Sequence, residues 1–145
     1  MEIKRDNSEY ITSVNDLVGL ISDKVAKLLC DQENKNISVE KVTTVLDFAT
    51  YEIPTPEEFN VASAEERKEM EEDASGWYGI AALPTPFNNT SVVFAFGYYG
   101  GCDFNVFNLP FGSTIEEIRQ EVASSINLIY QEIPSPANFL VRIYK

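Results

Sequence analysis

Few residues of this chain belong to the types that usually perform catalysis. The 145 residues include no histidine and two cysteines, Cys30 and Cys102, which lack CxxC spacing. Without histidine, the commonest general base at neutral pH is missing, together with the serine-hydrolase triad and every metal motif that contains histidine. The sequence has no glycine-rich phosphate-binding motif either. We therefore expect a protein that is not an enzyme and that holds no cofactor or metal.

Carboxylates remain as candidates for acid–base chemistry. Paired carboxylates catalyse glycoside hydrolysis, for example. Asp103, however, is the only carboxylate between Ala74 and Gly112, and the sequence identifies no second member of a pair. We interpret Asp103 as ending a hairpin beside solvent or accepting a hydrogen bond from Tyr98, and an enzyme that uses carboxylates or tyrosines is the least favoured hypothesis.

Charge is distributed very unevenly along the chain. Nine carboxylates lie between Glu52 and Asp73 with only Arg67 and Lys68, whereas residues 74–112 hold ten aromatic residues and one charge. A run of like charges must remain in water, while an uncharged segment can be buried with little desolvation cost. The net charge of −12 repels nucleic-acid phosphates and acidic membranes and favours basic surfaces. We expect no direct contact with nucleic acid or membrane.

These charges lead to the first functional hypothesis, a non-catalytic acidic binding protein that engages a basic protein surface. Such a protein could be a phage or mobile-element inhibitor that mimics nucleic acid and occupies the site of a nucleic-acid-handling host protein. A role in solubility alone is the competing interpretation. The candidate protein-binding residues are Glu57, Glu58, Glu65, Glu66, Glu69, Glu71, Glu72 and Asp73.

Two alternatives use the aromatic segment. In the first, an aromatic sheet pocket binds or sequesters a small, nucleotide-like ligand through stacking and hydrogen-bonding groups. Its candidate residues are Trp77, Tyr98, Tyr99, Asp103 and Asn105. In the second, exposed aromatic residues join copies of a structural protein. The sequence leaves the oligomeric state open.

The first half of the chain predicts two or three N-terminal helices. Ser13 caps a helix over about 13–30, in which leucine, isoleucine and valine recur on one face. A second helix is predicted over 38–51, although its β-branched residues also permit a strand. Ser63 and Glu66 form a capping box that begins a third, charged helix ending near Asp73.

An internal similarity favours the helical interpretation of 38–51. Residues 42–61 resemble residues 122–141, and each segment contains a Pro-X-Pro sequence that ends a helix. The later copy has a clear helical pattern over about 114–131, with a predicted capping box of Ser113 and Glu116. The sequence does not decide between an ancient duplication and chance similarity.

The uncharged segment predicts a three-stranded antiparallel meander over about 77–109. Its strands are Trp77–Leu83, Ser91–Tyr99 and Cys102–Leu109, with Gly100-Gly101 as a tight turn. That turn sets a register in which Gly97 pairs with Phe104, Ala95 with Val106, Phe96 with Asn105 and Phe94 with Phe107. A C-terminal strand over 139–144 joins the sheet, so we predict a single α+β domain over 1–145.

Location is predicted from what the sequence lacks. No apolar run approaches the roughly 20 residues of a membrane span, and Met1-Glu-Ile-Lys-Arg-Asp has no signal-peptide core. We expect a cytoplasmic protein in which Cys30 and Cys102 are reduced and buried.

Overall fold

The computed structural model describes residues 5–51, 55–73, 75–84, 90–98, 104–132 and 139–144. Its elements, in chain order, are β1 (Arg5–Ile11), α1 (Val14–Lys35), β2 (Thr43–Tyr51), α2 (Pro56–Val61), α3 (Ala64–Asp73), β3 (Ser75–Leu83), β4 (Ser91–Tyr98), β5 (Phe104–Pro110), α4 (Ile115–Glu132) and β6 (Phe139–Tyr144). The strands form one six-stranded sheet in the order β1-β6-β2-β3-β4-β5, and every neighbouring pair is antiparallel. The fold class is α+β.

The last strand of the chain lies inside the sheet. β6 pairs with β1 on one side and with β2 on the other. The strand from the C-terminal end of the chain therefore lies between two strands from the N-terminal third. The connections β1-α1-β2 and β5-α4-β6 each pass over the sheet through a long helix, and α1 and α4 pack against each other. The sheet is therefore completed only when residues 139–144 insert.

The main core lies between the sheet and these two long helices. Phe48, Phe94, Phe96 and Phe139 are all at most 1% exposed and form its centre. The Phe48 ring stacks on Tyr78 at 5.9 Å between centroids and meets Phe139 edge-on at 5.8 Å. Offset and edge-on aromatic pairs of this kind stabilise a core beyond the area that they bury.

A smaller core lies on the opposite face of the sheet. Phe59 of α2 and Leu140 of β6 are buried together, and Tyr10, Met70 and Trp77 pack against them. Leu140 alternates along β6 with Phe139 and Val141, which belong to the main core. Because successive side chains of a strand point to opposite faces, β6 contributes to both cores.

The predicted helix over 38–51 is wrong, because residues 43–51 form strand β2. This strand pairs with β3 and β6 and is shifted in register between Thr44 and Leu46. Its β-branched start suits a pleated sheet, and pairing on both sides satisfies its backbone groups. The similar residues 122–132 belong to helix α4. Residues 42–61 and 122–141 are therefore not equivalent in secondary structure.

The other N-terminal predictions have mixed outcomes. Helix α1 begins after Ser13, whose side chain accepts a hydrogen bond from the Asp16 amide at 3.1 Å, as predicted. It continues beyond residue 30 to Lys35 and ends at Asn36, which adopts a left-handed conformation with φ of 50°. The charged helix forms as α3, whereas β1 and the short α2 were not predicted. Cys30 is exposed rather than buried.

The meander prediction is correct in register but incomplete as a description of the sheet. β4 and β5 pair as predicted, with Phe94 opposite Phe107, Ala95 opposite Val106, Phe96 opposite Asn105 and Gly97 opposite Phe104. β3, β4 and β5 are, however, only half of a six-stranded sheet. The predicted turn Gly100-Gly101 lies outside the described residues.

Helix α4 is placed as predicted but is capped one residue later. The hydroxyl of Thr114 accepts a hydrogen bond from the Glu117 amide at 3.2 Å, and Glu117 Oε1 accepts one from the Thr114 amide at 3.0 Å. Ser113 instead donates its hydroxyl to the carbonyl of Pro110 at 2.6 Å. The predicted pair Ser113 and Glu116 is therefore replaced by Thr114 and Glu117. None of the described helices is long and apolar enough to cross a membrane.

Candidate protein-binding surface

The predicted protein-binding carboxylates lie on α2 and α3, here called the acidic helix pair (56–73). Each helix begins at a capping side chain. Thr55 accepts a hydrogen bond from the Glu58 amide at 3.2 Å. Ser63 and Glu66 form the predicted capping box, in which each side chain accepts from the other residue's amide at 3.2 Å. These hydrogen bonds lower the pKa of Glu66, because they favour its ionised form.

Arg67 holds the two helices together. Its Nε donates to the carbonyl of Phe59 at 2.8 Å and its Nη2 donates to the carbonyl of Asn60 at 3.0 Å. Its guanidinium carbon also lies 4.9 Å from the centroid of the Phe59 ring. Helix C-termini leave carbonyl groups without intrahelical partners, and a cation is favourable there. The positive charge of Arg67 is thus directed inward, at the end of α2.

Apolar side chains on the inner side of the pair attach it to the sheet. Phe59 is 3% exposed and lies against the fully buried Leu140, and Met70 packs on the same cluster. Arg67 and Met70 are three residues apart and so lie on the same side of α3. The acidic helix pair is therefore a fixed layer on the sheet face opposite α1 and α4.

The outer side of the pair carries exposed carboxylates. Glu57, Glu58, Glu65, Glu66, Glu69 and Glu72 are all exposed. Glu71 and Asp73 lie in α3, but their side chains are outside the described part of the structure. Lys68 is exposed among these carboxylates. The structure places all eight predicted residues on one pair of adjacent helices.

The position of each carboxylate along its helix separates two groups. Glu57, Glu58, Glu65 and Glu66 lie in first turns, where the positive end of the helix dipole stabilises negative charge. The second half of α3 is Glu69-Met-Glu-Glu-Asp73, and its last turn contains no basic residue. There the dipole opposes negative charge, so helix stability explains the first group but not the second.

Tyr10 lies beneath the acidic helix pair. Its ring meets Phe59 edge-on at 5.2 Å, and its hydroxyl is buried without a hydrogen-bond partner among the described residues. Its pKa is raised to about 12, by burial first and then by the nearby charges of Glu58 and Glu57. The tyrosinate form is disfavoured because it would be desolvated beside like charges.

Of the predicted ligand-pocket residues, the two whose side chains are described, Trp77 and Asn105, lie on opposite faces of the sheet. Trp77 packs with the smaller core beneath α3. Asn105 is exposed and is the cross-strand partner of Phe96, whose side chain is in the main core, so Asn105 lies on the main-core face and Trp77 on the other. Tyr98 pairs with Tyr78, but its side chain is outside the described set, as are Tyr99 and Asp103 entirely.

Several residues of this region were not singled out by sequence reasoning. Tyr10, Phe59 and Leu140 come from three separate segments, and only the alternation around Leu140 hinted at a second buried face. Asp47 is 2% exposed on the central strand β2, opposite Gly79 and Arg142 in register. An open groove of about 600 Å³ beside α1, lined in part by Asp16, Asp23 and Arg119, was also not predicted.

The described residues contain no group of three or more cysteine or acidic side chains placed to hold a metal ion. Comparisons with protein-family models, curated proteins and solved structures found no match. The function must therefore be argued from the surface itself.

Proposed function

We propose that this chain is a non-catalytic binding protein whose acidic helix pair engages a basic surface of another protein. The observation that carries the proposal is the acidic second half of α3, where Glu69 and Glu72 are exposed and Glu72, in the last turn, opposes the helix dipole. Local violations of stability rules are expected at functional sites, where selection acts on binding as well as on folding.

Helix energetics distinguish this proposal from a purely solubilising role. A charge at the unfavourable end of a helix dipole costs about 0.3–1 kcal/mol, and like charges four residues apart add a few tenths. Glu72 lies in the last turn of α3, and Glu69 is four residues from both Glu65 and Asp73. Solubility requires only that charge be somewhere on the surface, so it does not explain this costly placement.

The rigidity of the pair supports recognition rather than nonspecific attraction. Arg67 joins α3 to α2, and Phe59 and Met70 fix both helices on the sheet. Carboxylates on fixed backbone lose less entropy on binding than carboxylates on a flexible segment. The proposed partner is a protein with a basic groove, and proteins that handle nucleic acid are the class that presents such grooves. The inhibitor hypothesis is one form of this proposal.

Two matched double variants test the proposal. Glu69→Gln/Glu72→Gln neutralises two exposed carboxylates of α3. Glu33→Gln/Glu121→Gln neutralises two exposed carboxylates of α1 and α4, and Glu33 also lies close to a helix C-terminus. Both variants change the net charge equally, but the control leaves the acidic helix pair intact.

Wild type and the two variants are immobilised and used to capture partners from a lysate of the native host. Captured proteins are identified by mass spectrometry, and the affinity of each purified partner is measured between about 50 and about 300 mM salt. We expect the Glu69/Glu72 variant to bind at least about ten-fold more weakly with a shallower salt dependence, and the control to bind like wild type. The free energy of unfolding of the Glu69/Glu72 variant should equal or exceed that of wild type, so its weaker binding would not come from a loss of folding. Equal capture by all three proteins would contradict the proposal.

A further inference from the structure

Strand β5 is the last strand in the sheet order of the described residues, and its sequence, Phe-Asn-Val-Phe-Asn-Leu-Pro, contains no charge. The opposite edge strand, β1, contains Arg5, Asp6 and Glu9. Proteins usually protect an exposed sheet edge with charged residues, because an uncharged edge is a template for pairing with another strand. β1 follows this rule, whereas β5 lacks that protection.

The hydrogen bonds of β5 show which backbone groups face outward. The Phe111 amide donates to the Thr90 carbonyl at 2.8 Å, so this opposed pair is a hydrogen-bonded one. Antiparallel pairs alternate between hydrogen-bonded and non-hydrogen-bonded, and the register continues from Ser91–Pro110 to Gly97–Phe104. The amides of Phe104, Val106 and Asn108 therefore point away from β4, toward the open side of the sheet.

Phe104 and Val106 also carry the most exposed large apolar side chains among the described strand residues. Phe104 is 58% exposed and Val106 is 57% exposed. Phe104 lies opposite Gly97, which has no side chain, and Val106 lies opposite the small Ala95, so neither is covered by its cross-strand partner. Open backbone groups and exposed apolar surface thus coincide on one strand, which is the combination that strand addition requires.

We infer that β5 pairs with β5 of a second copy of this chain, antiparallel, with Val106 on the two-fold axis. In this register Val106 faces the second copy's Val106, and Phe104 faces the second copy's Asn108. Each outward amide of the three residues then meets an outward carbonyl across the interface. Pro110 has no amide hydrogen, so the ladder ends there. The two sheets become one continuous sheet of twelve strands.

The charge distribution favours a second copy as the occupant. A protein with net charge −12 repels its own copies wherever carboxylates meet. Residues 104–110 carry no charge, and the whole segment 74–112 carries only Asp103. Trp77 of β3, beneath the acidic helix pair, lies two strands from β5, or roughly 10 Å at about 4.8 Å per strand, which exceeds the Debye length of about 8 Å at physiological salt. No carboxylate of β5 itself therefore opposes the approach of a second copy along this strand, and the acidic helix pair remains free in the dimer.

Val106→Lys and Val42→Lys form a matched pair for the test. Val42 is also 57% exposed, but it lies before β2 and away from β5. Sedimentation equilibrium across a concentration series is expected to show wild type and Val42→Lys as dimers at the highest concentrations. Val106→Lys is expected to be monomeric throughout. A monomeric wild type up to about 1 mM, or a dimer that survives Val106→Lys, would overturn the proposal.

A cross-link tests the register itself. Opposed residues of a hydrogen-bonded pair have Cα atoms about 5.5 Å apart, within the range of a disulfide. Val106→Cys in a Cys30→Ser/Cys102→Ser background is expected to form a covalent dimer on oxidation, whereas Val42→Cys is not. Hydrogen exchange of the Phe104, Val106 and Asn108 amides should also slow as protein concentration rises. A dimer without this cross-link and without this slowing would show that another surface is used, and a wild-type monomer that binds a foreign strand at β5 would reject the second copy as occupant.

Discussion

Replacement of Tyr10 by phenylalanine removes one oxygen atom from the base of the acidic helix pair. That hydroxyl is buried without a hydrogen-bond partner among the described residues, and its ring packs edge-on against Phe59. An unpaired buried hydroxyl gives no net stabilisation, so at neutral pH we expect Tyr10→Phe to be as stable as wild type or up to about 1 kcal/mol more stable.

The effect of the hydroxyl grows at alkaline pH. The folded-state pKa is raised from 10.0 to about 12, by burial first and then by the charges of Glu58 and Glu57. Between these two pKa values the unfolded chain has released the tyrosine proton and the folded chain has kept it, so wild-type stability falls as pH rises. If the whole pKa difference is expressed, the free energy of unfolding of wild type falls by about 2.7 kcal/mol. We expect a fall of about 1–2 kcal/mol, because the side chain is only partly buried.

The measurement is urea unfolding of both proteins from about pH 8 to about pH 12. Other tyrosines and lysines titrate in both proteins, so the difference between the two free energies of unfolding isolates Tyr10. This difference should be constant up to about pH 9 and should then move in favour of Tyr10→Phe. Adding Glu58→Gln should reduce the change, since one of the charges that raises the pKa is gone. Parallel curves over the whole range would refute the placement of Tyr10 beneath the helix pair.

Two further predictions concern the helices. Arg67→Ala should lower the free energy of unfolding by about 1–2 kcal/mol, because two charge-assisted hydrogen bonds to the end of α2 are lost. A loss below about 0.3 kcal/mol in urea unfolding would contradict the role of Arg67 in holding α2 and α3 together. Glu117→Ala should destabilise more than Glu116→Ala, because only Glu117 accepts the Thr114 amide; thermal unfolding that ranks them in the reverse order would support Ser113 as the cap.

Local patterns in the sequence were sufficient for several elements. The helical spacing after Ser13 and the box of Ser63 and Glu66 predicted helix starts that the structure confirms. The register of β4 and β5 was also correct, because the short connection between them leaves few ways to pair two alternating segments. In each case the information lies within a few neighbouring residues.

Long-range pairing explains the failures. Residues 43–51 have both helical and strand character, and they form a strand because β3 and β6 pair with them on both sides. β6 comes from the far end of the chain, so no window around Val45 contains that information. The strand β1 was missed for the same reason, since its pairing partner among the described strands is β6, from the far end of the chain.

The sequence by itself determined the chemistry of this protein: no histidine, a net charge of −12, and an acidic segment followed by an uncharged one. Only the tertiary structure decided how these segments are presented. Packing of Phe59 on Leu140 places the carboxylates of α2 and α3 on one face, and the uncharged β5 is the last of the described strands in the sheet order. Composition fixes which charges exist, whereas contacts between residues far apart in the chain fix where those charges lie and which backbone groups stay unpaired.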